Sequence, residues 1–153
     1  MRANIEIQGL DELMRDVKQA GGDATRLVAA AMTNSATKIQ QEARKRAPHR
    51  TGTLQRSIMP EGKFPNMLVA VNEKYGVFLE EGTGIYGKKG SAITPKAAKV
   101  MRFKGKDGIV FTKKVKGIRP KPFFKPGIEA SLSYIQDQFT NVVDRIMREL
   151  SGR

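Results

Sequence analysis

The chain has 153 residues, 39% of them apolar, with seven Phe, three Tyr, no Trp and no Cys, which leaves room for one modest core and excludes a disulfide framework or thiolate chemistry. Its single histidine, His49, excludes the usual multi-histidine metal sites, and no apolar run approaches the roughly 20 residues needed to cross a bilayer, so a soluble chain with no export signal and no membrane partner is expected. The formal charge of +13 is segregated: thirteen basic residues and one acid, Asp107, lie between Lys88 and Lys125, and the remainder is nearly neutral.

In chain order, the alternation of Ile5 and Ile7 reads as a short strand, and Asp11-Glu12 opens a helix over about Leu10–Gln19, stopped by Gly21-Gly22. From Ala24 to about Arg46 there is no Gly or Pro. Leu27, Ala31, Ser35, Ile39, Ala43 and Ala47 recur every four residues beside Val28, Met32 and Ala36. This predicts a long amphipathic helix whose small side chains admit another backbone at close range. Pro48 closes it, and Thr51-Gly52-Thr53 turns the chain so that Leu54 and Ile58 point back to the core.

Ser57-Ile58-Met59 and Met67–Val71 read as strands separated by the turn-rich segment Pro60–Asn66. Tyr75–Glu80 is ambiguous between strand and short helix. Val100–Phe103 and Ile109–Thr112 flank Gly105-Lys106-Asp107-Gly108, where the Asp-Gly pair favours a tight hairpin turn. Past Pro120, Pro122 and Pro126, apolar residues at intervals of three or four from Ile128 through Leu132, Ile135, Phe139, Val142, Val143 and Ile146 to Leu150 predict one terminal helix lying over a face of the sheet.

The expected fold class is α+β: a small mixed or antiparallel sheet packed against one long central helix and a C-terminal helix, with a protruding basic β-hairpin. Residues 1–153 are expected to form a single domain in which residues 84–121 make a basic loop and hairpin extension.

Three phrases stand in order along this layout. The first is Arg46-Ala47-Pro48-His49-Arg50-Thr51-Gly52-Thr53-Leu54-Gln55-Arg56-Ser57-Ile58. The second is Tyr75-Gly76-Val77-Phe78-Leu79-Glu80-Glu81-Gly82-Thr83, and the third runs from Arg119-Pro120-Lys121-Pro122-Phe123-Phe124 through Lys125-Pro126-Gly127-Ile128. Together they resemble the tail-component family of tailed bacteriophages. Its members read approximately A-P-x-x-T-G-x-L-x-x-S-I, then Y-x-x-x-x-E-x-G-T, then R-P-x-P-F followed by P-x-[IL].

The matching positions are Pro48, Thr51, Gly52, Leu54 and Ser57, then Tyr75, Glu80, Gly82 and Thr83, then Pro122, Phe123 and Pro126, and the resemblance covers most of the chain from Ala24 onward. It implies a structural subunit of the virion, assembled in the host cytoplasm, that acts in tail completion or head-tail joining at the neck. It also implies a ring, a hexamer to match the sixfold tail, around the channel for DNA. The implied partners are further copies of itself and other neck, tail-terminator or tail-tube proteins.

No catalytic chemistry assembles from the residues. Gly82–Lys89 comes within one residue of the phosphate-cradling pattern G-x-x-x-x-G-K-[ST], but Lys89 stands where the hydroxyl is needed, and Gly90 and Pro95 argue against a following helix. Glu80 and Glu81 are adjacent and so cannot face one another as an acid/base pair. Glu80 is expected instead to pair with Arg56, Arg119 or a neighbouring subunit and so orient the Gly82-Thr83 loop. His49 lacks an orienting carboxylate. No enzyme activity, cofactor or metal is expected.

Lys104, Lys106, Lys113, Lys114, Lys116 and Arg119 are the candidate partner-facing or DNA-facing residues of the basic segment. Three readings stand: docking on an adjacent ring, contact with DNA in the channel, or lysines that only guard an exposed edge. Docking is preferred, because a conduit must let its cargo slide. The rival from another class is a small basic nucleic-acid-binding protein that uses the hairpin as a β-ribbon. A two-stranded ribbon alone is marginal in water, so the hairpin is expected to gain order in the assembly.

Overall fold

The computed structural model describes residues 1–4, 15, 22–96, 98–105 and 108–151. The strand at Ile5–Ile7, the helix at Leu10–Gln19 apart from Arg15, and Lys106 lie outside the described residues. The fold is α+β, and the chain gathers into two compact units, Met1–Glu73 with Phe123–Arg153, and Lys74–Pro122.

The first unit is organised by helix α1, Gly22–Arg46. Asp23 in its first turn and Arg44, Lys45 and Arg46 in its last complement the helix dipole. The predicted stripe is covered: Ala24, Val28, Ala31, Met32, Ser35, Ala36, Ile39, Ala43 and Ala47 are all buried, with Leu27 half-buried at its edge. The helix ends at Arg46, two residues before Pro48, where the residue preceding a proline is driven out of helical geometry.

Beyond Pro48, Gly52 (φ 73°) leads into a single helical turn, α2, Thr53–Ser57. This turn replaces the plain corner expected from the sequence, but it has the same result, because Leu54 and Ile58 are buried. Ser57 Oγ donates to the Leu54 carbonyl at 2.7 Å.

Strand β2, Ile58–Lys63, then pairs antiparallel with β3, Asn66–Val71, and β3 pairs on its other side with β1, Arg2–Asn4. The turn is therefore only Phe64-Pro65, and not the whole of Pro60–Asn66. Pro60 is accommodated because β2 is an edge strand, where a missing N–H leaves no ladder bond unmade. The central strand buries Met67, Val69, Ala70 and Val71, so both of its faces are covered.

The sheet is pinned to α1 by polar side chains at the rim of the stripe. Gln40 Nε2 and Arg44 Nε both donate to the Ile58 carbonyl, at 2.9 and 3.2 Å, and Gln55 Nε2 returns a bond to the Arg44 carbonyl at 3.0 Å. The first residue of β2 is thus fixed against the helix.

After Phe123 the chain forms α4, Phe124–Glu129, and α5, Leu132–Ser151 (α3 lies in the second unit, below). The single terminal helix expected from periodicity is broken at Ala130-Ser131, where Ser131 Oγ donates back to the Gly127 carbonyl at 2.8 Å. Both segments pack along α1, so the layer that the sequence assigned to the sheet is a helix-on-helix contact.

Gly127 makes that contact close. A Cβ built on it would lie 2.7 Å from Ala43 Cα and 3.0 Å from Ala43 Cβ, so the absence of a side chain at 127 and the methyl at 43 set the helix separation. Phe123 and Phe124 are both buried, their rings edge to face with centroids 6.5 Å apart. Farther along, Val28 and Ala24 bury Ile146, with Phe139 and Val142 beside them. Lys38 Nζ sits 5.7 Å from the centre of the Tyr134 ring.

On α1, Glu42 accepts from Arg46 one turn ahead and from Lys38 one turn behind, the latter at 3.0 Å. The Arg46 guanidinium first, and the Lys38 ammonium second, lower its pKa from 4.5 to about 2. The folded chain therefore binds this proton more weakly than the unfolded chain does. The stabilisation is fully present above pH 4.5 and disappears as the pH falls from 4.5 to about 2. Acid titrations of stability should show Glu42→Gln with a shallower loss in that window than the parent, and parallel curves would exclude the assignment. Ser35, fully buried on the same helix, has no hydrogen-bond partner for its Oγ. Denaturant unfolding should find Ser35→Ala more stable by about 1 kcal/mol, the cost of an unmatched buried hydroxyl.

Candidate functional site

The basic residues belong to the second unit, Lys74–Pro122. It begins with α3, Tyr75–Glu81, which resolves the ambiguous segment as helix, and passes through Gly82 (φ 73°) into a 3-10 turn at Gly84–Tyr86. An extended stretch then leads to the hairpin of β4, Met101–Gly105, and β5, Gly108–Thr112.

The segment after β5 returns antiparallel to the residues before β4. Ile93 and Val115 exchange two main-chain bonds of 2.9 Å, Ile85 N–H donates to the Lys116 carbonyl at 2.9 Å, and Thr83 N–H to the Ile118 carbonyl at 2.9 Å. Thr83 Oγ1 accepts in turn from Ile118 N–H at 2.9 Å, and Lys121 N–H reaches the Leu79 carbonyl. The Gly82-Thr83 loop is therefore held by Thr83 itself and by main-chain bonds.

Glycine permits this close approach. Gly84 (φ +64°) and Gly117 (φ +96°) occupy the left-handed region, and a Cβ on them would lie 2.2 Å from the Lys116 carbonyl oxygen and 2.1 Å from that of Thr83, respectively.

Arg56 donates to the Thr51 carbonyl, and Arg119 lies over the Tyr86 ring at 5.0 Å. Glu81 accepts from Lys88 Nζ at 2.8 Å. Gly82–Lys89 thus forms a 3-10 turn with an ion-paired lysine, and no helix follows Lys88 to complete a phosphate cradle. Beside it lies an open hollow of about 480 Å³, with Val77, Phe78 and Ile93 on its walls and Lys88, Lys89 and Lys96 at its rim. Among the described residues no group of His, Cys, Asp or Glu is placed to hold a metal ion, and no helix is long and apolar enough to cross a membrane.

The matching residues of the three phrases fall in both units. Pro48, Thr51, Gly52, Leu54 and Ser57 make the corner after α1, with Thr51 and Thr53 hydroxyls 2.9 Å apart. Tyr75, Glu80, Gly82 and Thr83 belong to α3 and the loop it feeds, while Pro122 ends the second unit and Phe123 and Pro126 start the return to the first.

The described candidate cations are distributed over three segments of this unit. Lys104 is on β4, Lys113 and Lys114 follow β5 where Thr112 Oγ1 bridges to Lys114, and Lys116 and Arg119 lie on the returning segment. All five are exposed.

The hairpin also exposes large apolar side chains, which a reading centred on lysine overlooks. The register pairs Met101 with Thr112, Phe103 with Val110, Arg102 with Phe111 and Lys104 with Ile109. By the alternation of a strand, one face holds Met101, Phe103, Val110 and Thr112, and the other holds Arg102, Lys104, Ile109 and Phe111. Phe103, Ile109, Val110 and Phe111 are 44, 55, 40 and 63% exposed. The letters were present in the sequence. What they lacked was any sign of how exposed they stand among the described residues.

Comparison with known proteins agrees with the three phrases where it reaches them. Residues 11–82, a little under half of the chain, match the model of a family described as "Bacteriophage HK97-gp10, putative tail-component", consistent with a tail component of a tailed phage. The match includes the long helix, the corner after it, strands β2 and β3 of the first sheet and α3, and ends at Gly82. No curated protein and no solved structure matches the chain.

The glycine-mediated ladder has a direct test. Gly117→Ala should cost about 2 kcal/mol of local stability, as a side chain is forced into a left-handed and occupied position. Hydrogen exchange should then show faster exchange at Thr83, Ile85 and Ile118 with the amides of α1 unchanged. Unaltered protection at those three would show that the close approach does not hold the loop.

Proposed function

We propose that the chain is a structural subunit of a phage neck or tail that assembles into a closed ring, sixfold to match the tail, in tail completion or head-tail joining around the DNA channel. The observation that carries this reading is the match of residues 11–82 to a phage tail-component family. The role is architectural, in keeping with that description, and its place is the virion. The chain acts in this reading as one domain, whose nearly neutral residues pack and tile and whose basic residues 84–121 reach another body.

The composition of the hairpin supports docking on protein over contact with DNA. Phosphates would neutralise Arg102 and Lys104 but would offer nothing to Ile109 and Phe111 beside them. Burying side chains of that size contributes on the order of 2 kcal/mol each. Lysines that only guard an edge do not require four half-exposed apolar residues among them.

Electron microscopy of the purified chain with its tail-tube partner should show closed rings of six subunits. A chain that stays monomeric at high concentration and beside tail proteins would end the reading. Duplex DNA should bind weakly, whereas firm binding whose affinity falls steeply as salt rises would mark a DNA binder. Tight, sequence-selective duplex binding by a lone monomer would favour the β-ribbon nucleic-acid binder instead.

A further inference from the structure

Two surfaces carry large apolar side chains without cover, and their charges are opposite. The first is the hairpin face with Ile109 and Phe111 set beside Arg102 and Lys104. The second is on α5. Among the described residues of the first unit, the exposed large apolar side chains are Met59 and three on this helix, Leu132, Val143 and Met147, at 56, 41 and 58% exposed. Their spacing of eleven and four residues places them in one row.

That row flanks the side of α5 that meets the core through Phe139, Val142 and Ile146. By the same helical geometry Asp137 and Asp144 stand alongside it, both exposed. The cation on that side, Arg148, is turned back to the Asp144 main-chain carbonyl at 3.2 Å. An apolar row edged by carboxylates thus matches an apolar pair edged by cations. The dimensions of the closest parts agree as well: Ile109 and Phe111 stand about 7 Å apart along their strand, and Val143 and Met147 about 6 Å apart along the helix.

We infer that the hairpin of one copy docks on the exposed flank of α5 of a neighbouring copy, with Ile109 and Phe111 against the Val143-Met147 end of the row and Arg102 and Lys104 against Asp137 and Asp144. The inference rests on the ring reading and supplies what that reading lacks. A head-to-tail contact requires two different, complementary patches on every chain, and a ring closes only through such contacts. The occupant is a second copy because both halves of the match are on this one sequence.

The chain contains no cysteine, so introduced thiols report the contact cleanly. One preparation carries Phe111→Cys and a second, differently tagged, carries Val143→Cys. On mixing under mild oxidation, the mixed disulfide between the two tags is expected to predominate. Equal yields of all pairings, or an intrachain bond when both substitutions sit in one chain, overturn the inference.

A charge exchange gives the second readout. Arg102→Glu with Lys104→Glu, or Asp137→Lys with Asp144→Lys, should each weaken self-association by about tenfold or more in sedimentation velocity, through like charges brought together. Mixing the two variants should restore a pairwise complex. Variants that fold normally by circular dichroism and assemble as the parent does count against the contact. Rings seen by microscopy without the mixed disulfide would remove this contact and leave the ring. Mixed disulfides in open chains that never close would leave the contact and remove the ring.

Discussion

Helix α1 sets the geometry of the first unit because one side of it is nearly bare of side chain. Ala31, Ser35, Ala36, Ala43 and Ala47 leave room that larger residues would fill, and α4 occupies it so closely that position 127 has space for hydrogen alone. Close backbone approach brings a fixed separation, and the fixed separation places Phe123 and Phe124, at the start of α4, inside the core instead of over it. On the other flank, Gln40 and Arg44 fix the first carbonyl of the edge strand, so the sheet cannot slide along the helix. Small side chains decide how near the layers come, and polar rim residues decide their register.

The second unit is held together by a different means. Its ordering contacts are main-chain hydrogen bonds between residues 79–93 and 115–121, brought within reach by glycines, and few of its large apolar side chains are covered. Such a unit keeps its apolar surface available for something outside itself. The concentration of positive charge in the same residues adds attraction at longer range, so steering and burial are combined on one hairpin.

Much of the first unit was legible. The long helix was readable because a 3.6-residue rhythm ran for more than twenty residues without Gly or Pro, and Met67–Val71 because β-rich residues were bounded by turn formers. The single turn at Thr53–Ser57 was not, being too short for any rhythm to establish itself. Pro60 and Gly62 read as a turn because composition does not show that a strand lies at an edge, where proline costs no hydrogen bond. The break at Ser131 was hidden by apolar spacing that continues across it, and that spacing also misassigned Leu132 and Val143 to the covered side of α5. In the candidate site the cations were legible as charge. The Thr83–Ile118 ladder was not, because it is made by backbone atoms 35 residues apart and leaves only glycines as its trace.

The proline in β2 has a further effect. By lacking an amide hydrogen in the middle of an outer strand, Pro60 denies incoming chains a continuous row of donors, so the three-stranded layer cannot recruit a fourth strand on that side. For any chain made in many copies, indefinite stacking through sheet margins would consume subunits as fibres. With that margin closed, any contact made on the β2 side is left to side chains to specify.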